Sequence, residues 1–193
     1  MKTKIIAVIG VCMIYFITSA AQATLISVVP QSQNVNQGEE VIIDIIISEL
    51  TNGSALSISS FDININFDAT LLRFSNISFG DQLNFGFGSW QNSSELSAGI
   101  FNFSEFSFDD FATIDALQAS KFTLASLTFD TKSFGLSALT AHVNGLGDSI
   151  GNGLNSRMEN SNFNITAVPE PTALLLFIFG ILSIVIQRLK FSQ

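Results

Sequence analysis

The sequence predicts an all-β fold, an antiparallel β-sandwich of about nine strands with one short helix, and three observations carry that expectation. Apolar and polar residues alternate with a period of two, most clearly where Phe61, Ile63, Ile65 and Phe67 interleave with Asp62, Asn64, Asn66 and Asp68. Breaks recur at Asn52-Gly53, Phe79-Gly80-Asp81, Gly86 to Gly88 and Gly145 to Gly153. The aromatic stock is Phe 19 against Tyr 1 and Trp 1, which suits a buried core better than a wet surface. The 193 residues, 47% hydrophobic and 12% charged, suffice for one domain with additional segments at its ends.

In chain order, Leu25 to Val29 predicts a first strand. Val41 to Ile47 is apolar except for Asp44, as expected of a central strand covered on both faces, with Asp44 reaching an edge or a hydrogen-bond partner. The run from Phe61 to Phe67 predicts a half-buried strand whose apolar set faces the core, and Leu71 to Phe79 a further one. Phe101 and Phe103 alternate, then Phe106 and Phe108 follow after a one-residue slip, which predicts a β-bulge that keeps all four on one face. From Asp110 to Ala119 the period changes: Phe111, Ile114 and Leu117 recur every three residues, and Asp109 or Asp110 is placed to cap a short helix. Strands resume at Phe122, Leu124, Leu127 and Phe129, at Leu136 to His142, and at Phe163 to Val168.

The two ends follow different rules. Lys2 and Lys4, the apolar run Ile5 to Ile17 and the small residues around Ala21-Gln22-Ala23 predict a signal peptide over 1–23, cut after Ala23. A lipoprotein signal at Cys12 is disfavoured by Val11, where that processing needs a small residue. Near the other end Ala173 to Ile186 is apolar on every face and is followed by Arg188 and Lys190. Its helical length of about 21 Å falls short of a ~30 Å hydrocarbon core, so a transmembrane helix over about 173–187 is a marginal anchor. Bases after the span place the tail in the cytoplasm and the preceding domain outside.

Val168, Pro169, Glu170 and Pro171, then the apolar helix, then Arg188 and Lys190, resemble the PEP-CTERM sorting signal. The usual cluster of adjacent arginines is thinned to those two bases. The resemblance implies export in a Gram-negative bacterium that makes exopolysaccharide, recognition by the membrane enzyme exosortase, and a sorting segment over 168–193. A short span with weak flanking charge is poorly suited to permanent anchoring, so the membrane helix is expected to be transient, with the tail cut near Val168 to Pro171 and the domain freed for the cell surface or extracellular matrix. Between the ends, Gly38-Glu39-Glu40-Val41-Ile42-Ile43-Asp44, the run Phe61 to Asp68, Leu71-Leu72-Arg73-Phe74, Phe79-Gly80-Asp81, Phe122 to Phe129 and Leu146-Gly147-Asp148 resemble a cohesin-type domain. That resemblance implies a cohesin-like jelly roll over 24–167. Cohesins of cellulose-degrading complexes bind dockerins through one sheet face, and no interface residue carries over.

Charge and composition narrow the function. A formal net charge of -8 and a pI near 4.4 leave no basic surface for phosphates, so no nucleic acid is expected as a partner. One Cys and one His exclude thiol catalysis and Cys/His zinc sites. His142 stands in an apolar strand outside any nucleophile-elbow pattern, so it reads as structural. Glu95, Glu105, Asp109 and Asp110 are the carboxylates available for glycoside hydrolysis, and as loop acids of an acidic surface they read as solvated. Calcium is the one cofactor the residues accommodate: Asp148, Ser149, Asn152 and Asn155 offer oxygen ligands among glycines, against the simpler reading of a plain turn. Trp90, beside Phe85, Phe87, Gly86 and Gly88, is either a glycan-stacking ring in a flexible loop or core filling beneath it. The expectation is an exported, noncatalytic surface or matrix protein that binds a surface protein or exopolysaccharide. A carbohydrate-binding module is the alternative, and a polysaccharide-active enzyme ranks third.

Overall fold

A computed structural model describes residues 23–50 and 57–167, with Ile181 alone beyond them. Eleven strands and one helix follow in order: β1 (Thr24–Val29), β2 (Ser32–Asn36), β3 (Glu40–Ser48), β4 (Ile58–Asn66), β5 (Leu72–Phe79), β6 (Ser89–Ser97), β7 (Ile100–Ser107), α1 (Phe111–Leu117), β8 (Phe122–Thr131), β9 (Gly135–Asp148), β10 (Ser156–Glu159) and β11 (Ser161–Thr166). They form two sheets, a five-stranded one ordered β10-β1-β3-β8-β5 and a six-stranded one ordered β2-β11-β9-β4-β7-β6. Signal peptide, sorting segment and apolar tail helix lie outside the described residues, Ala23 and Ile181 excepted. Among the described residues no helix is long and apolar enough to cross a membrane.

The sandwich agrees with the expectation, and its edges add to it. Beyond Val29 the chain leaves the five-stranded sheet at Pro30 and Gln31 and enters the other as β2. Each half of this divided first strand lies beside a late strand running the same way, so β1 pairs parallel with β10 and β2 parallel with β11. Every other pairing is antiparallel. The division of the first strand and the short β10 raise the strand number above nine.

Phenylalanine fills the space between the sheets. Phe74 stacks on Phe101 at 3.8 Å, Phe67 meets Phe129 edge-on at 5.0 Å, and Phe61 meets Phe103 edge-on at 5.6 Å. Phe61, Ile63 and Ile65 of β4 and Phe67 just beyond its end are all buried, as their alternation predicts. β3 differs from its expectation. It is central in its sheet, yet only Val41, Ile43, Ile45 and Ile47 face the core, and Ile42 is 59% exposed. Among the described residues no layer covers the outer face of this sheet at Ile42, so the apolar run reflects β-propensity and not burial on both sides. Asp44 does find a partner: Ser126 Oγ donates to it at 2.5 Å.

The bulge predicted between Phe103 and Phe106 does not form. Bulges fall in several of the other strands, and β8 carries one of them, because its pairing with β3 shifts between Ile45 and Ile46 and leaves both Leu124 and Ala125 buried. β7 instead runs in unbroken register along β4, from Ser60 opposite Phe106 to Asn66 opposite Ile100. Without a slip, the parity of the strand turns Phe106 and Phe108 outward and Glu105, Ser107 and Asp109 inward. The helix forms where expected, with Asp110 as its N-cap accepting from the Thr113 N–H at 3.0 Å, but of its apolar stripe only Ile114 is buried. Gln118 at its end donates to Ile58 O and Gln82 O, both at 2.9 Å, tying the helix to β4 and to the β5–β6 loop.

Candidate functional site

The outward turn of β7 creates a surface where aromatic and polar groups converge. Trp90 of β6 stands opposite Phe106 of β7, which stands opposite Ser60 of β4, which stands opposite Gly147 of β9. The next row is Asn92, Ser104, Asp62 and Gly145. Together these rows line an open groove of about 570 Å³ across the outer face of the six-stranded sheet. Trp90 is 54% exposed and Phe106 49%. Phe108, also exposed, meets Phe106 edge-on at 6.0 Å and extends the apolar end. Trp90 therefore sits on a strand, neither in a loop nor in the core.

The polar floor is tied together by its own hydrogen bonds. The Asn102 amide nitrogen donates to Asp62 Oδ1 at 2.6 Å and to Asn64 Oδ1 at 2.8 Å. The Asn144 amide nitrogen donates to the same two oxygens at 3.0 Å each. Gly145 and Gly147 lie within β9, not in the loop the glycine run suggests, and leave the floor bare of side chains there. His142 lies on the same strand, exposed, three residues before Gly145.

Two acids expected in solvent are instead buried beneath this face. Asp109, 8% exposed, accepts from the Phe85 N–H at 2.6 Å and the Phe87 N–H at 3.0 Å, so it clamps the β5–β6 loop and caps no helix. Glu105, 2% exposed, has only neutral donors: Ser89 Oγ at 2.6 Å and Gln91 Nε2 at 2.9 Å, both on the same carboxylate oxygen. Burial pushes its carboxyl above the ordinary value of 4.5, and those two hydrogen bonds offset this only in part. A raised acid makes the fold most stable below its ordinary value and weakens it as pH rises through the folded one. Glu105→Gln keeps the accepting oxygen and removes the charge. It is expected to raise stability at neutral pH by on the order of 1 kcal/mol, a gain that vanishes in acid; urea midpoints across pH measure it.

Of the residues considered for calcium, Asp148 and Asn152 come together. Asp148 Oδ1 accepts from the N–H groups of Asn152 at 2.7 Å and Ile150 at 3.0 Å, and Oδ2 from the Asn152 side chain at 3.0 Å. Burial raises the Asp148 carboxyl, and the Asn152 side chain with the backbone donors outweighs it, so the group sits below the usual range. A carboxylate engaged on both oxygens by its own loop is the cap of a turn. Among the described residues no three His, Cys, Asp or Glu side chains gather as a metal site. Ala21, Val168, Pro169, Glu170, Pro171, Arg188 and Lys190 lie outside the described residues, and Ala23 immediately precedes β1.

No family model and no curated protein matches the sequence. Solved structures do match. A type I cohesin in a cohesin–dockerin complex from Clostridium thermocellum is 13% identical, with a TM-score of 0.62 over 75% of this chain and 100% of that one. A type II cohesin domain from the cellulosome of Acetivibrio cellulolyticus is 22% identical, with a TM-score of 0.62 over 74% and 96%. A non-cellulosomal cohesin from the archaeon Archaeoglobus fulgidus is 15% identical, with a TM-score of 0.57 over 75% and 92%. The two sheets, the Phe-filled interior and these likenesses agree on one point: the fold of this chain is cohesin-like.

Proposed function

We propose that this chain is an exported, noncatalytic interaction module, delivered to the cell surface or matrix by an exosortase-type system. It engages a surface protein or exopolysaccharide through the outer face of β9, β4, β7 and β6. The observation that carries this reading is the inverted polarity of β7, which keeps Phe106 and Phe108 in water beside Trp90 while Glu105 and Asp109 are buried. Exposed apolar rings clustered on a sheet face and rimmed by polar groups mark a binding surface. Several of the similar structures are cohesins in complex with dockerins, which is a precedent for recognition by such a scaffold. The carbohydrate-binding alternative draws on the same rings and adds the amide-lined floor. An enzyme ranks third, because the one His of the chain is an exposed strand residue without a nucleophile partner among the described residues.

Two experiments test the two halves of this reading. Phe106→Ser is expected to release at least tenfold more protein into the medium, measured by immunoblotting of intact cells and supernatant; unchanged retention would remove the interaction face. Replacing Pro169, Glu170 and Pro171 with alanine is expected to trap the precursor in the inner membrane, since those residues are the part of the tail that resembles the sorting motif. Mass spectrometry of the exported wild-type protein checks the cut, and a mature species that retains Leu174 to Ile186 would refute it.

A further inference from the structure

We propose that the groove between Trp90 and Gly147 is a subsite for a neutral polysaccharide chain lying across the strands. This deepens the reading above and rests on it. A sugar ring presents an apolar C–H face and a fringe of hydroxyls, so it needs an aromatic surface beside donors and acceptors in one concave site. Trp90 and Phe106 supply the surface at one end of the groove. Asn92, Ser104 and Asp62 supply the polar row one step along the strands. Four strands at about 4.8 Å spacing give a floor about 14 Å long, and the groove crosses them instead of running along one.

The far end is kept open by glycine. A Cβ on Gly147 would lie 2.5 Å from Ser60 Oγ, and Gly145, Gly151 and Gly153 have open space where a side chain would stand. Charge selects the class of glycan. The Asp62 carboxylate sits in the floor and none of the described residues lining the groove is basic, so a uronate or phosphate would meet an anion with none of them to neutralise it. Asn102 and Asn144 are already braced against Asp62 and Asn64, which lowers the ordering cost of binding. A protein partner would place its energy in a dry apolar centre. Here the rings stand at one end and the centre is amide and hydroxyl.

Trp90 is the only tryptophan in the chain, so its fluorescence reads this site directly. Titrating the full chain with cellohexaose, mannohexaose and maltohexaose is expected to give a saturable blue shift with at least one, and none with polygalacturonate. Phe106→Ala and Asn92→Ala should each weaken that response at least tenfold, whereas Phe111→Ala, an exposed ring on α1, should leave it unchanged. A response that survives Phe106→Ala, or equal loss in Phe111→Ala, overturns the subsite. Silence with every neutral glycan also overturns it, and surface retention then separates the two ideas. If Phe106→Ser still strips the protein from cells, the face stands and its occupant is a protein; if retention is intact, both readings fall.

Discussion

Replacing Ile65 with aspartate is expected to cost about 4 kcal/mol or more, a large part of the 5–15 kcal/mol that holds an ordinary domain together. Ile65 is fully buried on the core face of β4, paired across the sheet with Phe101 on one side and Ala141 on the other. No Lys or Arg is among the buried side chains of the described residues, so an ionised carboxylate there would lack a counter-ion, and a protonated one would still bury polar atoms among apolar side chains. The neighbouring Asn64 points to the opposite face and accepts from Asn102 and Asn144. Asn64→Ser removes part of that network in a partly wet site and should cost about 1 kcal/mol or less. Urea midpoints of the two variants measure the contrast. Similar losses would mean that β4 presents the wrong face to the core.

β4 was legible from Phe61 onward because its residues there obey the period of two without help from elsewhere; only at its start do two successive residues, Ile58 and Ser59, both turn inward, where the pairing with β9 slips. β7 was not, and the reason is long-range. Glu105 and Asp109 are tolerated inside because donors at Ser89, Gln91, Phe85 and Phe87, all earlier in the chain, fold over to meet them. A strand read by itself shows only a polar residue where an apolar one belongs, and a bulge is the cheapest local repair; the register with β4 shows that none occurs there. The same limit hid the groove. Trp90 stood out as the single tryptophan beside glycines, but its partners Phe106, Ser60 and Gly147 come from three other strands. The Asp110 cap, three residues from its donor, was legible for the opposite reason. The parallel edges depend on strands at opposite ends of the domain, β1 with β10 and β2 with β11, which no local pattern encodes.

Gly99→Val is expected to cost about 3 kcal/mol, from two constraints that act at one turn. Gly99 closes the hairpin between β6 and β7 with φ +83, a region that a β-branched residue enters only with strain. Its carbonyl accepts from the Phe67 N–H at 2.9 Å, which draws the turn against the end of β4. A Cβ at Gly99 would lie 2.5 Å from the Phe67 carbonyl oxygen, a backbone atom that cannot swing aside as a flexible side chain would. Relief requires either lifting the hairpin off β4 or moving Phe67, whose ring packs edge-on against Phe129 at 5.0 Å in the core. Gly86→Ala is the control, because Gly86 has a negative φ and open space where its Cβ would stand, and it should change stability by less than about 0.5 kcal/mol. Trp90 lies on the same hairpin, so its fluorescence during urea unfolding follows the affected element as well as the domain. A Gly99→Val protein with the midpoint of Gly86→Ala would mean that the β6–β7 turn does not press on β4, and the strand that carries Trp90 would then be placed by its pairing with β7 alone.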